Sequence, residues 1–217
     1  MKLKCVGIIA PAYNIESNII SRFTSSYKSS LIELGVDECV SYYPMSDQEC
    51  LVDGQFSRSK ALNSGIKYLM NSCEVIICTD IDMIIPPELI DYSYHKAKQT
   101  NNNIFSMARF IDNQKKFNWD LIWNIPASQS GLGGWNAMTI QSWIKLGGWN
   151  EELVEWGYED HELHSRIKSK SIGNITCKSY PLVHINHPVR NQSQTSSQNK
   201  NIKIVNSKSW DDYNWLI

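Results

Sequence analysis

Two kinds of hydrophobic block alternate along the first half of the chain. Short apolar runs over Val6 to Ala10, Val36 to Tyr43 and Glu74 to Thr79 have the length and β-branched content of strands covered on both faces. Between them lie helical patterns. Ile15 to Leu34 carries Ile19, Phe23, Tyr27 and Leu31 at four-residue spacing on one face, and Ser57 to Asn71 follows. Pro86-Pro87 opens a third helix over Glu88 to Lys98, with proline where a helix start tolerates it. A further strand is predicted from Asn103 to Phe110. Strands and helices in alternation predict βαβ units and an α/β fold around a largely parallel sheet. The second half is less regular and holds Trp119, Trp123, Trp135, Trp143, Trp149 and Trp156. The tract from Arg190 to Asn201 is rich in Ser, Gln and Asn and reads as a mobile loop. No repeat or linker divides the chain. One domain is expected over 1–217, with a nucleotide-binding half to about 100, an acceptor and metal half to about 190, and a polar loop and tail.

Composition narrows the function classes. The chain has 217 residues, 42% hydrophobic, with a net charge of −1. That excludes general disorder and disfavours a protein held mainly by nucleic-acid phosphates. No apolar run approaches the roughly 20 residues of a membrane-spanning helix. Met1-Lys2-Leu3-Lys4 leads straight into Val6-Gly7-Ile8-Ile9 without a signal-peptide core, so a cytoplasmic location is expected. The six cysteines lack paired spacing and read as reduced core residues.

Candidate chemistry begins at Thr79-Asp80-Ile81-Asp82, two carboxylates at the exit of the third strand. Strand exits are where open α/β sheets bind ligands, and paired carboxylates invite a divalent cation and, through it, phosphates. The first strand ends in Pro11, with Tyr13 following, which suits packing against a planar base. Arg58 and Lys60 sit in the first turn of a helix, the unfavourable end of the dipole for a cation, so they are expected to answer to an anion such as a pyrophosphate. Gly147-Gly148-Trp149-Asn150 and Trp156-Gly157-Tyr158-Glu159-Asp160 combine aromatic faces with carboxylates, the makings of a sugar platform and of a general base. His161 and His164 lack zinc-protease spacing and read as surface or packing residues. His184 and His187 stand three apart after a strand-like run and could supply nitrogen ligands to the cation at the Asp pair.

Taken in order, Phe-X-Arg-X-Lys-X-Leu-Asn-X-Gly, Asp-X-Asp, Gly133-Gly134, Gly-Gly-Trp-Asn, Trp-Gly-X-Glu-Asp-X-Glu and His-X-X-His resemble the β-1,4-galactosyltransferase-type enzymes. Related bacterial capsule and chondroitin-type transferases share the signature. The motifs span nearly the whole chain outside the tail. The resemblance implies a GT-A fold, a Rossmann-like twisted sheet flanked by helices. It implies a metal-dependent, inverting glycosyltransferase that moves galactose or N-acetylgalactosamine from a UDP-sugar to a hydroxyl of a glycan or glycolipid acceptor.

By the same resemblance Asp82, His187 and His184 ligate Mn²⁺ or Mg²⁺. His184 replaces a methionine of animal members, and imidazole is a harder ligand than a thioether. Pro11, Tyr13, Arg58, Asp80, Gly134 and Trp156 fall on nucleotide-sugar-binding positions. Trp156, Tyr158 and Glu159 fall on acceptor-binding ones, and Asp160 takes the place of the general base. Two departures stand out. Ala12, Tyr13 and Asn14 follow Pro11 where animal members carry an arginine, and Gly131 stands where they place a tyrosine, leaving room for an N-acetylhexosamine. Peripheral membrane contact fits a glycolipid acceptor. The alternatives are a transferase acting on modified nucleic acid, a sugar-nucleotide pyrophosphorylase, and a non-catalytic module binding nucleotide sugars or glycans.

Overall fold

The structure is a computed structural model and describes residues 5–28, 31, 38–112, 134–155, 157–186, 194–207 and 214–216. Its main sheet is formed by β1 (Cys5–Ile9), β2 (Glu38–Tyr42), β5 (Val75–Thr79), β7 (Asn103–Phe105), β9 (Trp135–Thr139) and β10 (Asn174–Thr176). They lie in the order β10-β7-β9-β5-β1-β2. β1 pairs in parallel with β2 and β5, and β7 with β10, whereas β9 runs antiparallel to both β5 and β7. The sheet is therefore mostly parallel, as the alternating pattern predicts.

Every residue of β1, β5 and β9 is buried. Such strands read as unbroken apolar runs because both faces are covered. Successive side chains point to opposite faces. Val6, Ile8, Val75 and Ile77 thus join one core with Phe23, Leu89, Ile90 and Tyr94, from α1 (Ser17–Ser25) and α4 (Pro87–Thr100). Ile9, Ile76 and Cys78 join the other with Leu62, Ile66, Trp143 and Leu163. Those helices are α3 (Arg58–Leu69), α5 (Ile140–Leu146) and α6 (Glu159–Ser169). The result is three layers, with helices on both faces of the sheet.

A small sheet stands at the strand exits, in the order β6 (Met83–Ile84), β11 (Leu182–Asn186), β8 (Ala108–Asp112). A hairpin of β3 (Leu51–Val52) and β4 (Gln55–Phe56) follows the short helix α2 (Asp47–Cys50). It turns through Asp53 and Gly54, both at positive φ.

Three sequence expectations are corrected. The first helix ends at Ser25 rather than Leu34: Ser26 Oγ donates to the Phe23 carbonyl and accepts from the Ile85 N–H, which fixes a turn there. The strand expected from Asn103 to Phe110 is two, β7 and β8, which break at Ser106 and Met107 to enter different sheets. Most consequential, the polar tract after Arg190 contains a helix, α7 (Gln194–Asn206). Ser197, Asn201 and Val205 are buried along one of its sides, so tertiary packing overrides a composition that favours loop. Among the described residues the six cysteines are all free thiols, and no helix is long and apolar enough to cross a membrane.

Candidate functional site

The parallel strands β1 and β5 leave the sheet at the same edge, which brings the Pro11–Tyr13 segment and Asp80–Asp82 together. The remaining parts arrive by two local devices. Ser57 caps α3 by accepting from the Lys60 N–H at 3.2 Å, and its hydroxyl donates to the Leu153 carbonyl at 3.0 Å. Next to it the Glu155 N–H donates to the Phe56 carbonyl at 2.6 Å. These bonds stitch the start of α3 to the loop that leads into α6, so Arg58 and Asp160 come face to face. In the small sheet, β11 pairs antiparallel with β6 in a register that sets His184 opposite Met83, hence beside Asp82.

Arg58 is the hub. Its Nε donates to Asp80 Oδ1 at 2.6 Å and its Nη1 to Asp160 Oδ1 at 3.3 Å, while its guanidinium lies 4.9 Å from the centre of the Trp149 ring. Burial alone would lower its pKa, but Asp80, Asp160 and Glu159 raise it instead. One cation shared among several carboxylates leaves the site short of positive charge. Burial pushes Asp160 up to about 6, with Arg58 opposing and Asp80 adding to the rise. Burial likewise pushes Glu159 up to about 7, with Asp160 adding, and Arg58 and the backbone N–H groups of Glu159 and Gly157 opposing. Asp80 is raised by burial too, despite Arg58. Such an acidic pocket suits a divalent cation or a carboxylate poised to take a proton.

The metal candidates follow the same logic. His184 Nε2 lies 3.3 Å from Asp82 Oδ2, and both side chains are largely covered. Burial would lower the imidazole's pKa, but the hydrogen bond and charge of Asp82 outweigh it and raise it. A carboxylate oxygen and an imidazole nitrogen side by side form a donor set that fits Mn²⁺ or Mg²⁺. His187, Trp156 and Gly131 lie outside the described residues.

The other sequence-predicted residues divide between ligand and framework. Pro11 is buried at the exit of β1. Tyr13 donates to Asp47 Oδ1 at 2.7 Å and stacks on Phe56 at 5.9 Å between ring centres, which sets two aromatic rings together at the β1 exit. Phe56 stands in the recognised motif, yet sequence reasoning gave it no role of its own. Gly134 accepts through its carbonyl from Thr79 Oγ1 at 2.6 Å, and a Cβ there would meet Leu182 at 2.9 Å, so close packing requires the glycine. Tyr158 begins α6 at φ 80° and stacks on His161, while Glu159 is buried behind it.

Several motif residues serve the framework. Lys60 shares the helix-start position with Arg58, but its ammonium donates to the Leu51 carbonyl at 2.6 Å instead of facing the carboxylates. Trp149 is fully buried beneath Arg58 and presents no face to a sugar, which corrects the platform reading of Gly-Gly-Trp-Asn. Asn63 accepts from the Trp149 N–H and donates to the Trp149 carbonyl and to Glu151. Gly148, at φ +80°, leaves space for it, since a Cβ there would come within 2.6 Å of Asn63 Oδ1. Glu162 forms a buried ion pair with Arg166, whose Nη1 also donates to the Leu146 carbonyl. His164 packs edge-on against Phe105. Among the described residues no three His, Cys, Asp or Glu side chains gather as a metal cluster, so neither it nor His161 belongs to one.

A family model described as the N-terminal domain of galactosyltransferase matches residues 122–188. The catalytic domain of Drosophila β1,4-galactosyltransferase 7 in complex with xylobiose superposes with a TM-score of 0.60 at 14% identity, over 89% of this chain and 78% of that one. A mutant of that enzyme with manganese, UDP-Gal and xylobiose gives a TM-score of 0.60 at 12% identity, with the same coverage. GalNAc-T7 with UDP, GalNAc and Mn²⁺ gives 0.59 at 15% identity, over 97% of this chain and 49% of that one. The chain therefore has the fold of these GT-A glycosyltransferases, and its residues 122–188 are similar to the galactosyltransferase family model.

Proposed function

We propose that the protein is a metal-dependent, inverting glycosyltransferase that moves galactose or N-acetylgalactosamine from a UDP-sugar to a hydroxyl of a glycan acceptor. The observation that carries this reading is the Asp80–Arg58–Asp160 bridge set next to the Asp82–His184 pair. A donor-side carboxylate, a proton acceptor and metal ligands meet at one sheet edge. The neighbours' complexes with UDP-sugar components and manganese support it.

Asp82 and His184, joined by His187, would hold Mn²⁺ or Mg²⁺. When bound, the cation supplies charge neutralisation for a departing diphosphate. The stacked rings of Tyr13 and Phe56 offer a flat apolar surface for a base at the exit of β1. Asp80 faces the ribose or sugar. Asp160 Oδ takes the proton of the acceptor hydroxyl as that oxygen attacks the anomeric carbon from the face opposite the departing group. Arg58 holds Asp160 in orientation through Nη1, and Glu159 and Tyr158 receive the acceptor. By the family resemblance, Trp156 would cover both substrates and exclude water.

The test is a thermal-shift screen against nucleotide sugars with and without Mn²⁺, followed by an assay of UDP release with mixed glycan acceptors. Stabilisation by UDP-galactose or UDP-N-acetylgalactosamine that requires Mn²⁺ is expected. A screen in which no uridine nucleotide raises the melting temperature would overturn the reading.

A further inference from the structure

The cysteines take no part in the candidate site, yet two of them meet. Cys5 opens β1, and Cys73 lies between α3 and β5. Their sulfurs are 3.1 Å apart, and both residues are buried. The approach is built into the sheet. β1 pairs in parallel with β5, and the Glu74 N–H donates to the Cys5 carbonyl at 3.0 Å, which sets Cys73 one step off from Cys5 across the pair. Adjacent strands run about 4.8 Å apart, so two such residues fall within the roughly 4.4–6.8 Å between Cα atoms that a disulfide spans. Gly7 leaves room for the Cys73 thiol, since a Cβ there would come within 3.2 Å of Cys73 Sγ. The pair stands where β1 and β5 begin, at the opposite end of these strands from Pro11 and Asp80.

The two thiols are not equivalent. Burial raises the pKa of both, and Glu38 adds to the rise at each. The hydrogen bond between them raises Cys5 further but holds Cys73 down. Ser72 Oγ, 3.9 Å from Cys73 Sγ, also lowers Cys73. Cys73 is therefore the readier thiolate, the form in which a cysteine reacts.

We infer that Cys5 and Cys73 form an oxidation site, a dithiol that a hydroperoxide converts to a disulfide joining β1 to the start of β5. Hydrogen peroxide is the fitting oxidant, because a buried thiol admits only a small one. The Cys73 thiolate attacks the O–O bond and becomes a sulfenic acid, and the hydroxide released takes up the proton that Cys73 lost. Cys5 sulfur then attacks Cys73 sulfur and expels hydroxide, which leaves as water with the Cys5 proton. Two thiols and one peroxide become one disulfide and two waters, the sulfurs oxidised and the peroxide oxygens reduced. The link joins residues 68 apart, and so restricts the unfolded chain more than a local one would.

The test treats folded wild type, Cys5→Ala and Cys73→Ala with hydrogen peroxide, quenches with catalase, and maps the cysteines by mass spectrometry. In wild type the peptides of Cys5 and Cys73 are expected joined, two hydrogens lighter, and separable again by dithiothreitol. The titratable thiols should fall from six to four, the missing two being those in the link. Cys5→Ala should stop at a sulfenic acid on Cys73, captured by dimedone, while Cys73→Ala should leave Cys5 as a thiol. Six surviving thiols in wild type, or Cys5 joined to another cysteine such as Cys39, overturns the inference. Capture of a sulfenic acid on Cys5 instead of Cys73 overturns the order of attack. The wild-type map decides the pairing even where a variant fails to fold, and none of these outcomes depends on the glycosyltransferase reading.

Discussion

Asp80 and Asp160, distant in sequence, share the guanidinium of Arg58, at 2.6 Å and 3.3 Å respectively. One carboxylate ends a strand of the main sheet and the other opens a helix that packs on its far side. The orientation of Asp160 is thereby tied to the exit of β5, and the tie requires Ser57 and Glu155 to hold the start of α3 against the loop before α6.

Replacing Asp160 with Asn should lower kcat by about 10²–10⁴-fold, the usual contribution of a positioned base. Donor binding should change little. In the wild type the rate should rise with pH along an acid limb lying between about 6 and about 7, a property of the Asp160 and Glu159 pair together. Near-wild-type turnover in Asp160→Asn would remove the residue from the base role.

Stability should fall as pH rises between about 4 and about 7. Glu159 is raised from 4.5 to about 7 and Asp160 from 3.8 to about 6, so in this window the folded chain retains protons that the unfolded chain releases. The contribution is fully lost once pH exceeds the folded values. Melting curves of Glu159→Gln should show a shallower slope over the same range, and an unchanged slope would contradict the assignment.

Removing either described member of the proposed metal pair has a distinct signature. Asp82→Asn should abolish Mn²⁺-dependent binding of UDP, because it removes the charge that holds the cation. His184→Ala should weaken Mn²⁺ by at least the roughly 10- to 100-fold that losing a group supporting a ligand costs, since a ligand itself is removed. Calorimetry with and without Mn²⁺ separates the two, and equal metal affinity in wild type and both variants would sink the pair.

Asn201 tests the framework instead of the chemistry. Its amide donates to the carbonyls of Val154 and Gly157, in a loop where Glu155, Gly157 and Tyr158 all have positive φ. Asn201→Ala should cost about 1–3 kcal/mol of stability, the range for leaving buried groups unsatisfied, measured by denaturant unfolding. Because that loop leads directly into Glu159 and Asp160, kcat should fall with it. A variant as stable as wild type would show that the two bonds contribute nothing.

The strands of the first half were legible because full burial on both faces writes them as unbroken apolar runs. The exit of β5 then located Asp80 and Asp82. A cation at a helix start pointed to Arg58, yet the same signal marked Lys60, whose partner is a carbonyl in a hairpin. Spacing alone cannot separate a lysine that finds a backbone oxygen from an arginine that finds two carboxylates. Aromatic content likewise suggested an exposed Trp149, while its neighbours Asn63 and Gly148 hold it wholly inside. Asn201 carried no local sign at all. Its partners lie on another element, and α7 itself forms through contacts with the 154–157 loop that a Ser- and Asn-rich stretch does not advertise.

Strand β9 has a consequence for the order in which the protein is made. It is inserted between β5 and β7, yet it follows both in the chain and pairs with each. While the chain emerges from the ribosome, β5 therefore waits with an open edge until residues 135–139 arrive, and Asp160 and His184 come later still. The nascent first half holds the Asp pair but neither Asp160 nor His184. Assembly of the site is thus one of the last steps of synthesis, and no truncated product of the first half should act on a nucleotide sugar.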